Sequence, residues 1–354
     1  MNLVEKIAGK TWENTAKSDA KRIALQKPTP GLTQVTDIAY LPDGHRGHLL
    51  DVYYPEGTAE PLPVVIDIHG GGLMYGYKEL NKYYNLAIAS RGFTVISLSY
   101  RLAPEVLFPE QVRDILAAFR WIAAHGAEYP CQMENLFLTG DSAGGLLAAY
   151  TALVNESVDL QRIYGTQGSG LRFNALGLTS GMFLTTRGAM KILRSTIFGA
   201  DYHKQAFYAC MDFANLTETA KLPPCYLVTS RQDFIRSHTL DFERRLTAKG
   251  VPHQLHDWPK GIKERPLQHV FSVAYPEWPE SRQTIDEMTA VFYAICKDTG
   301  GCRLTRLKRM RWCVWGMLLL TQSSAGWSTG WRTAWCFWHG KILPLGGLSQ
   351  ARAL

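Results

Sequence analysis

Asn135-Leu136-Phe137-Leu138-Thr139-Gly140-Asp141-Ser142-Ala143-Gly144-Gly145 is the stretch that decides the fold. A short strand over 135–139 runs into Gly140-Asp141-Ser142-Ala143-Gly144, which fits G-x-S-x-G, and the small apolar residues of 143–154 read as a helix. Strand, sharp turn and helix in that order present a serine hydroxyl at the top of a parallel sheet. Upstream, His69-Gly70-Gly71-Gly72 follows the apolar run 63–68. Its bare backbone N–H groups suit a developing negative charge. Either glycine-rich run alone is an ordinary turn. Together, in this order and each after a strand, they point to nucleophilic serine chemistry.

Outward from this pair, strand-like and helix-like segments alternate. Residues 49–54, 63–68, 93–100, 175–180, 225–230 and 253–258 read as strands, several of them continuous apolar runs. Val112, Ile115, Leu116, Phe119 and Ile122 recur at helical spacing behind Pro109. Leu240, Phe242, Leu246 and Val251 border a helix that stops at Gly250, and Ile285, Met288, Val291, Phe292 and Ile295 mark a closing amphipathic helix. This alternation predicts the α/β class, with a mostly parallel sheet and helices on both faces, in one domain over residues 1–300.

The charge is unevenly spread. The chain has 38 basic and 31 acidic residues, a net of +7. Residues 301–354 hold eight Lys/Arg and no acid, which leaves 30 basic against 31 acidic residues before them, a net of −1. Nothing in this neutral body suggests a nucleic-acid surface. The tail carries six of the ten tryptophans but no amphipathic period, so it reads as a poorly structured or non-native extension rather than a membrane-surface anchor. Seven cysteines without C-x-x-C spacing argue against a disulfide framework or a zinc site. With no apolar leader visible, a cytoplasmic setting is expected.

Ser142 needs a base to take its proton as it attacks, and a third group to orient that base. In the chain order nucleophile, acid, histidine, the base comes after the late strands, which leaves His238, His253, His256 and His269. His253 and His256 fall inside a strand, whereas His269 follows a Gly/Pro-containing loop. Among the acids, Asp233 lies three residues beyond strand 225–230, while Asp241 sits in a helix and Asp257 in a strand. Asp141 adjoins Ser142 and should point elsewhere; His69 shapes its loop. The N–H groups of Ala143, Gly71 and Gly72 are the expected oxyanion donors.

These residues resemble the hormone-sensitive-lipase-like branch of the α/β-hydrolase superfamily. The likeness rests on the His69 and Ser142 motifs, on Tyr100-Arg101-Leu102-Ala103-Pro104-Glu105 with Phe108-Pro109 behind it, on Asp233-Phe234-Ile235-Arg236 and on His269-Val270-Phe271. It spans about residues 45–296. The resemblance implies an α/β-hydrolase fold and a carboxylic-ester hydrolase that works through an acyl-enzyme. Ser142 would be nucleophile, His269 base and then acid, Asp233 the orienter, and 100–105 a brace. No metal or organic cofactor is implied, and the expected partner is a small acyl ester. Two features depart from the family: a cap-like segment of only about residues 1–45, and the 301–354 tail. Amide or peptide hydrolysis on the same fold, or a silent ligand-binding relative, are the competing expectations.

Overall fold

Leu-Pro-Val-Val-Ile-Asp-Ile forms the strand Leu62–Ile68, buried along almost its whole length, as a strand covered on both faces must be. The computed structural model, which describes residues 3–27, 29–184, 190–213, 216–296, 335–338 and 341–344, sets it inside an eight-stranded sheet. The strands are β1 (Leu32–Ala39), β2 (Leu49–Pro55), β3 (Leu62–Ile68), β4 (Thr94–Leu98), β5 (Cys131–Asp141), β6 (Phe173–Thr179), β7 (Cys225–Ser230) and β8 (His253–Trp258). Across the sheet they run β1-β2-β4-β3-β5-β6-β7-β8. Only the β1–β2 and β2–β4 pairings are antiparallel; from β4 to β8 every pairing is parallel. The connecting helices are α1 (Leu3–Leu25), α2 (Lys82–Ala89), α3 (Phe108–His125), α4 (Ala143–Glu156), α5 (Val158–Tyr164), α6 (Met190–Phe198), α7 (Ala206–Ala209), α8 (Arg236–Lys249), α9 (Phe271–Ala274) and α10 (Pro279–Ile295).

Alternate side chains of each strand feed two separate cores. Val64, Ile66, Ile68, Leu136 and Leu138 pack with Phe119 of α3 and Leu146 of α4. Val65, Val95 and Phe137 face the other way, onto Leu86 of α2 and Met288 and Phe292 of α10. The Phe137 and Phe292 rings stack with centroids 4.4 Å apart. Truncating one such buried ring costs about 3–5 kcal/mol, so both helix layers are firmly tied to the sheet. In α3 the five apolar residues read from the sequence are all buried, and the Glu110 carboxylate accepts the Leu107 N–H at 3.2 Å, closing the first turn.

Within the expected cap-like segment of residues 1–45 the structure has a helix and a strand. Leu32–Ala39 buries Leu32, half-buries Thr33, Val35 and Ile38, and pairs with β2, so it is the edge strand of the sheet; α1 lies outside it. Arg22 and Gln26 both donate to the Ala274 carbonyl, at 2.9 and 2.8 Å, while Asp19 accepts the Tyr75 hydroxyl at 3.1 Å. Trp12 stacks on Tyr75 with centroids 5.5 Å apart. These contacts hold α1 against the loop after β3 and the end of α9.

The chain divides into one unit over Met1–Cys302 and a second over Arg303–Leu354. In the second, Trp335–Trp338 pairs antiparallel with Lys341–Pro344; the rest of the basic, Trp-rich tail lies outside the described residues. Among the described residues no helix is long and apolar enough to cross a membrane.

A buried ammonium pins the loop after β3 to the edge of the sheet. Lys78, 2% exposed, sits 2.8 Å from Asp37, 2.9 Å from Asp51 and 2.5 Å from Glu79. A bulge in β1 turns Asp37 to φ 59° and lets its N–H reach Asp51 at 2.9 Å. Burial acts against the ammonium, but the three carboxylates outweigh it and raise its pKa. The Lys78 N–H and carbonyl bond the Ser99 and Ser97 hydroxyls at 3.0 and 3.1 Å. Lys78→Ala would strand the carboxylates, of which Asp51 is almost fully buried. We expect a loss of about 3 kcal/mol in urea unfolding with the denaturant slope unchanged. A loss below about 1 kcal/mol would mean that the cluster contributes no more than a surface pair.

Candidate active site

The turn between β5 and α4 is strained in the way its sequence allows. Ser142 takes φ 53° and ψ −118°, outside the regions open to most L-residues. Such a residue costs on the order of 1–3 kcal/mol and persists only where its surroundings hold it. Here the Ser142 N–H donates to Thr179 at 2.9 Å and its carbonyl accepts from Met182 at 2.8 Å. Gly144 must be glycine because a Cβ there would run into the Ile68 carbonyl. That close crossing sets the start of α4 directly against the end of β3. Leu73, Ser180 and Val270 also have positive φ (68°, 51° and 51°). Backbone strain thus gathers on the loops that follow β3, β5, β6 and β8.

Those loops bring Ser142, His269 and Asp233 into one line. His269 Nε2 lies 2.9 Å from Ser142 Oγ, and its Nδ1 lies 2.9 Å from Asp233 Oδ1. The Asp233 carboxylate is fully covered, whereas the imidazole keeps 19% exposure. Asp233 also accepts the Ile235 N–H at 3.0 Å and the Thr229 hydroxyl at 3.1 Å. Burial pushes this carboxyl up, but the His269 hydrogen bond and charge, with the other donors, bring it below the usual range. It therefore stays ionised at neutral pH, as an orienter of an imidazole N–H must.

The histidine loop is held from behind by Gln232, which sequence reading did not single out. Its side-chain oxygen accepts the Gly261 and Leu267 N–H groups at 2.7 and 3.0 Å. The Ser230 hydroxyl bonds the Leu267 carbonyl. The rival residues are engaged elsewhere. His256 bonds Glu287 at 2.6 Å, His253 bonds the Val251 carbonyl at 2.7 Å, and His238 accepts the Leu184 N–H at 3.3 Å. Asp241 pairs with Arg244 and Arg245, and Asp257 with Arg236.

The glycine loop is fixed from three sides. Gly70 donates to Asp141 Oδ1 at 3.0 Å, so the acid beside Ser142 does point away and ties the two loops together. The Tyr100 hydroxyl donates to the His69 carbonyl at 2.9 Å, and the two rings stack at 4.4 Å. The Leu73 carbonyl accepts the Ala103 N–H at 2.9 Å and the Gln111 amide at 2.8 Å. His69 is fully buried, and desolvation lowers its pKa to about 4, so it stays a neutral ring that shapes the loop. Gly71 at φ 113° leaves no room for a Cβ, which would meet the Tyr75 carbonyl. Ala143 opens α4, so its N–H lacks an intrahelical acceptor. No hydrogen bond to another described residue engages the Gly71, Gly72 or Ala143 N–H groups. Three donors are thus left available on the two loops.

Beneath the elbow lies a second feature that sequence reading did not find. Asn81 bridges two buried carboxylates, Asp67 at 3.0 Å and Asp141 at 2.8 Å. Asp67 also accepts from Asn85 at 3.0 Å and Thr139 at 2.9 Å. Burial, with the charge of Asp141, raises the Asp67 pKa to about 6; burial raises Asp141 too. The one visible signal was an aspartate inside the otherwise apolar strand β3.

The alpha/beta hydrolase fold family matches residues 65–264. Esterase LipI of Mycobacterium tuberculosis is 28% identical over 253 residues, which is 66% of this chain and 75% of that protein. Carboxylesterase NlhH of the same species is 26% identical over 67% of this chain and 74% of its own length. Among solved structures, esterase B from Lactobacillus rhamnosis is 30% identical over 82% of this chain and 95% of that one, with a TM-score of 0.76. A further structure of that enzyme is inhibited by a C4-C4 tributyrin phosphonate.

The raised Asp67 pKa has a signed consequence. The folded state keeps this proton up to about pH 6, while an ordinary aspartate loses it near 3.8, so folded stability from this site is present at low pH and is lost as pH rises through about 6. Asp67→Asn removes that loss. In thermal unfolding, the melting temperature of the variant relative to the parent should be more favourable at pH 7.5 than at pH 4.5. A difference that does not vary with pH would contradict it.

Proposed function

The chain belongs to the alpha/beta hydrolase fold family, in its hormone-sensitive-lipase-like esterase branch, and from that premise we propose the roles of its site residues and the size of its substrate. It is a serine hydrolase of carboxylic esters. In our reading Ser142 is the nucleophile, His269 the base and then the acid, and Asp233 the orienter. The observation that carries this is the unbroken hydrogen-bonded line from Ser142 Oγ through His269 to Asp233.

Ser142 Oγ attacks the ester carbonyl carbon while His269 Nε2 accepts its proton. Negative charge collects on the former carbonyl oxygen, facing the N–H groups of Ala143, Gly71 and Gly72; each such donor is worth roughly 10²–10³ in turnover. Collapse of the tetrahedral intermediate expels the alcohol, which takes the proton from His269. Water, deprotonated by the same imidazole, then attacks the acyl-enzyme and releases the acid. Asp233, buried and ionised, holds the Nδ1–H and favours the imidazolium at both stages.

We read the acyl group as short. The Trp12 ring of α1 lies directly on Gly72, so close that a Cβ there would come within 2.8 Å of it, and this narrows the approach to the glycine loop. The butyryl-type phosphonate bound by esterase B is of the same size class. We also assign the enzyme to a reducing, cytoplasmic setting, in keeping with Cys131 and Cys225, which lie in the core as thiols.

Hydrolysis of p-nitrophenyl esters from acetate to decanoate tests both parts. The expected optimum is at four carbons or fewer, with Ser142→Ala reducing kcat by about 10⁴ or more and Asp233→Asn by about 10³–10⁴. A long-chain optimum would overturn the short-acyl reading; full activity in Ser142→Ala would overturn the nucleophile.

A further inference from the structure

Phe234 is the most exposed large aromatic side chain described in the body, at 78%. A lone exposed apolar residue usually needs no explanation. This one lies against the base: its ring centroid is 4.6 Å from that of His269, tilted by 56°. Its backbone is clamped on both sides. Asp233 before it is tied to His269, Thr229 and the Ile235 N–H, and Arg236 after it grips Asp257, with Nε 2.8 Å from the carboxylate. Asp233 is buried and Ile235 packs on the core, so the turn leaves only Phe234 facing outward. The ring thus stands beside the catalytic imidazole, and among the described residues its outer face is exposed.

Chemistry fixes what passes that spot. The leaving oxygen of the ester must come within hydrogen-bond reach of His269 Nε2 to receive its proton. The carbon skeleton attached to that oxygen is therefore carried close to the imidazole, against which the Phe234 ring stands. We propose that Phe234 is the specificity-determining residue for the alcohol half of the substrate, a platform that favours esters of aromatic or bulky apolar alcohols. The proposal rests on the ester-hydrolase reading of Ser142, His269 and Asp233, and adds the substrate half which that reading left open. Stacking between such a leaving group and the ring is an aromatic pair in a partly desolvated site, worth roughly a three- to tenfold preference.

The test holds the acyl group and the leaving-group acidity nearly constant: benzyl butyrate against ethyl butyrate, with active sites counted by phosphonate titration. The parent should show a higher kcat/KM for the benzyl ester. Phe234→Ala should lower the benzyl-to-ethyl ratio by roughly three- to tenfold, and Phe234→Tyr should keep it. Phe234→Ala lowering both esters by the same factor would make the ring a shield for His269 and overturn the proposal. So would a ratio that the substitution does not move. If the folded parent hydrolyses neither ester, the ester-hydrolase reading itself falls, and this inference with it.

Discussion

The bond from the Gly70 N–H to the buried Asp141 carboxylate joins two loops that the chain separates by 71 residues. One carries the proposed nucleophile, the other the proposed donors for its oxyanion. Neither loop has much side chain of its own to pack, so neither could hold a shape alone. The close passage of Gly144 under the Ile68 carbonyl brings them together, and the carboxylate fixes their register. Everything the site does depends on that junction. An error of about 1 Å between nucleophile and oxyanion donors costs on the order of a hundredfold in rate.

Such a junction is expensive. It places Asp141 and Asp67 in the core near each other, where burial resists ionisation of both. Asn81, Asn85 and Thr139 offset part of that cost through hydrogen bonds. Farther along the same segment, Lys78 closes the loop onto the sheet edge with three ion pairs. The positive φ values of Leu73, Ser142, Ser180 and Val270 are a second cost, borne on the four loops around the site. The two cores beneath them, with Phe137 stacked on Phe292 on one face and the α3–α4 layer on the other, supply the rigidity that holds those conformations.

The sequence carried the features whose geometry is local. A serine centred in a glycine turn after a strand can point only one way, so Ser142 was legible. Strand runs such as Leu62–Ile68 were legible because burial on both faces leaves no polar break. His269 and Asp233 were readable from chain order and from lying just past strands. What was hidden depends on elements far apart in sequence meeting in space. Asn81 joins Asp67 to Asp141 only because the short 3₁₀ turn Lys78–Asn81 brings it beside the ends of β3 and β5. Gln232 looks like any loop residue until the histidine loop folds over it. Strand β1 escaped notice because an edge strand buries only one face, and its alternation is weak and broken by a bulge.

The central claim is that Ser142 is the atom at which an ester substrate becomes covalently attached, activated by the line running back to Asp233. The most direct measurement is mass spectrometry of the intact chain after reaction with a butyl-type phosphonate ester, followed by peptide mapping. The account predicts one adduct per chain, on the peptide holding Ser142, and its disappearance in His269→Ala. An adduct on another residue, or labelling of Ser142 that survives loss of His269 undiminished, would contradict it.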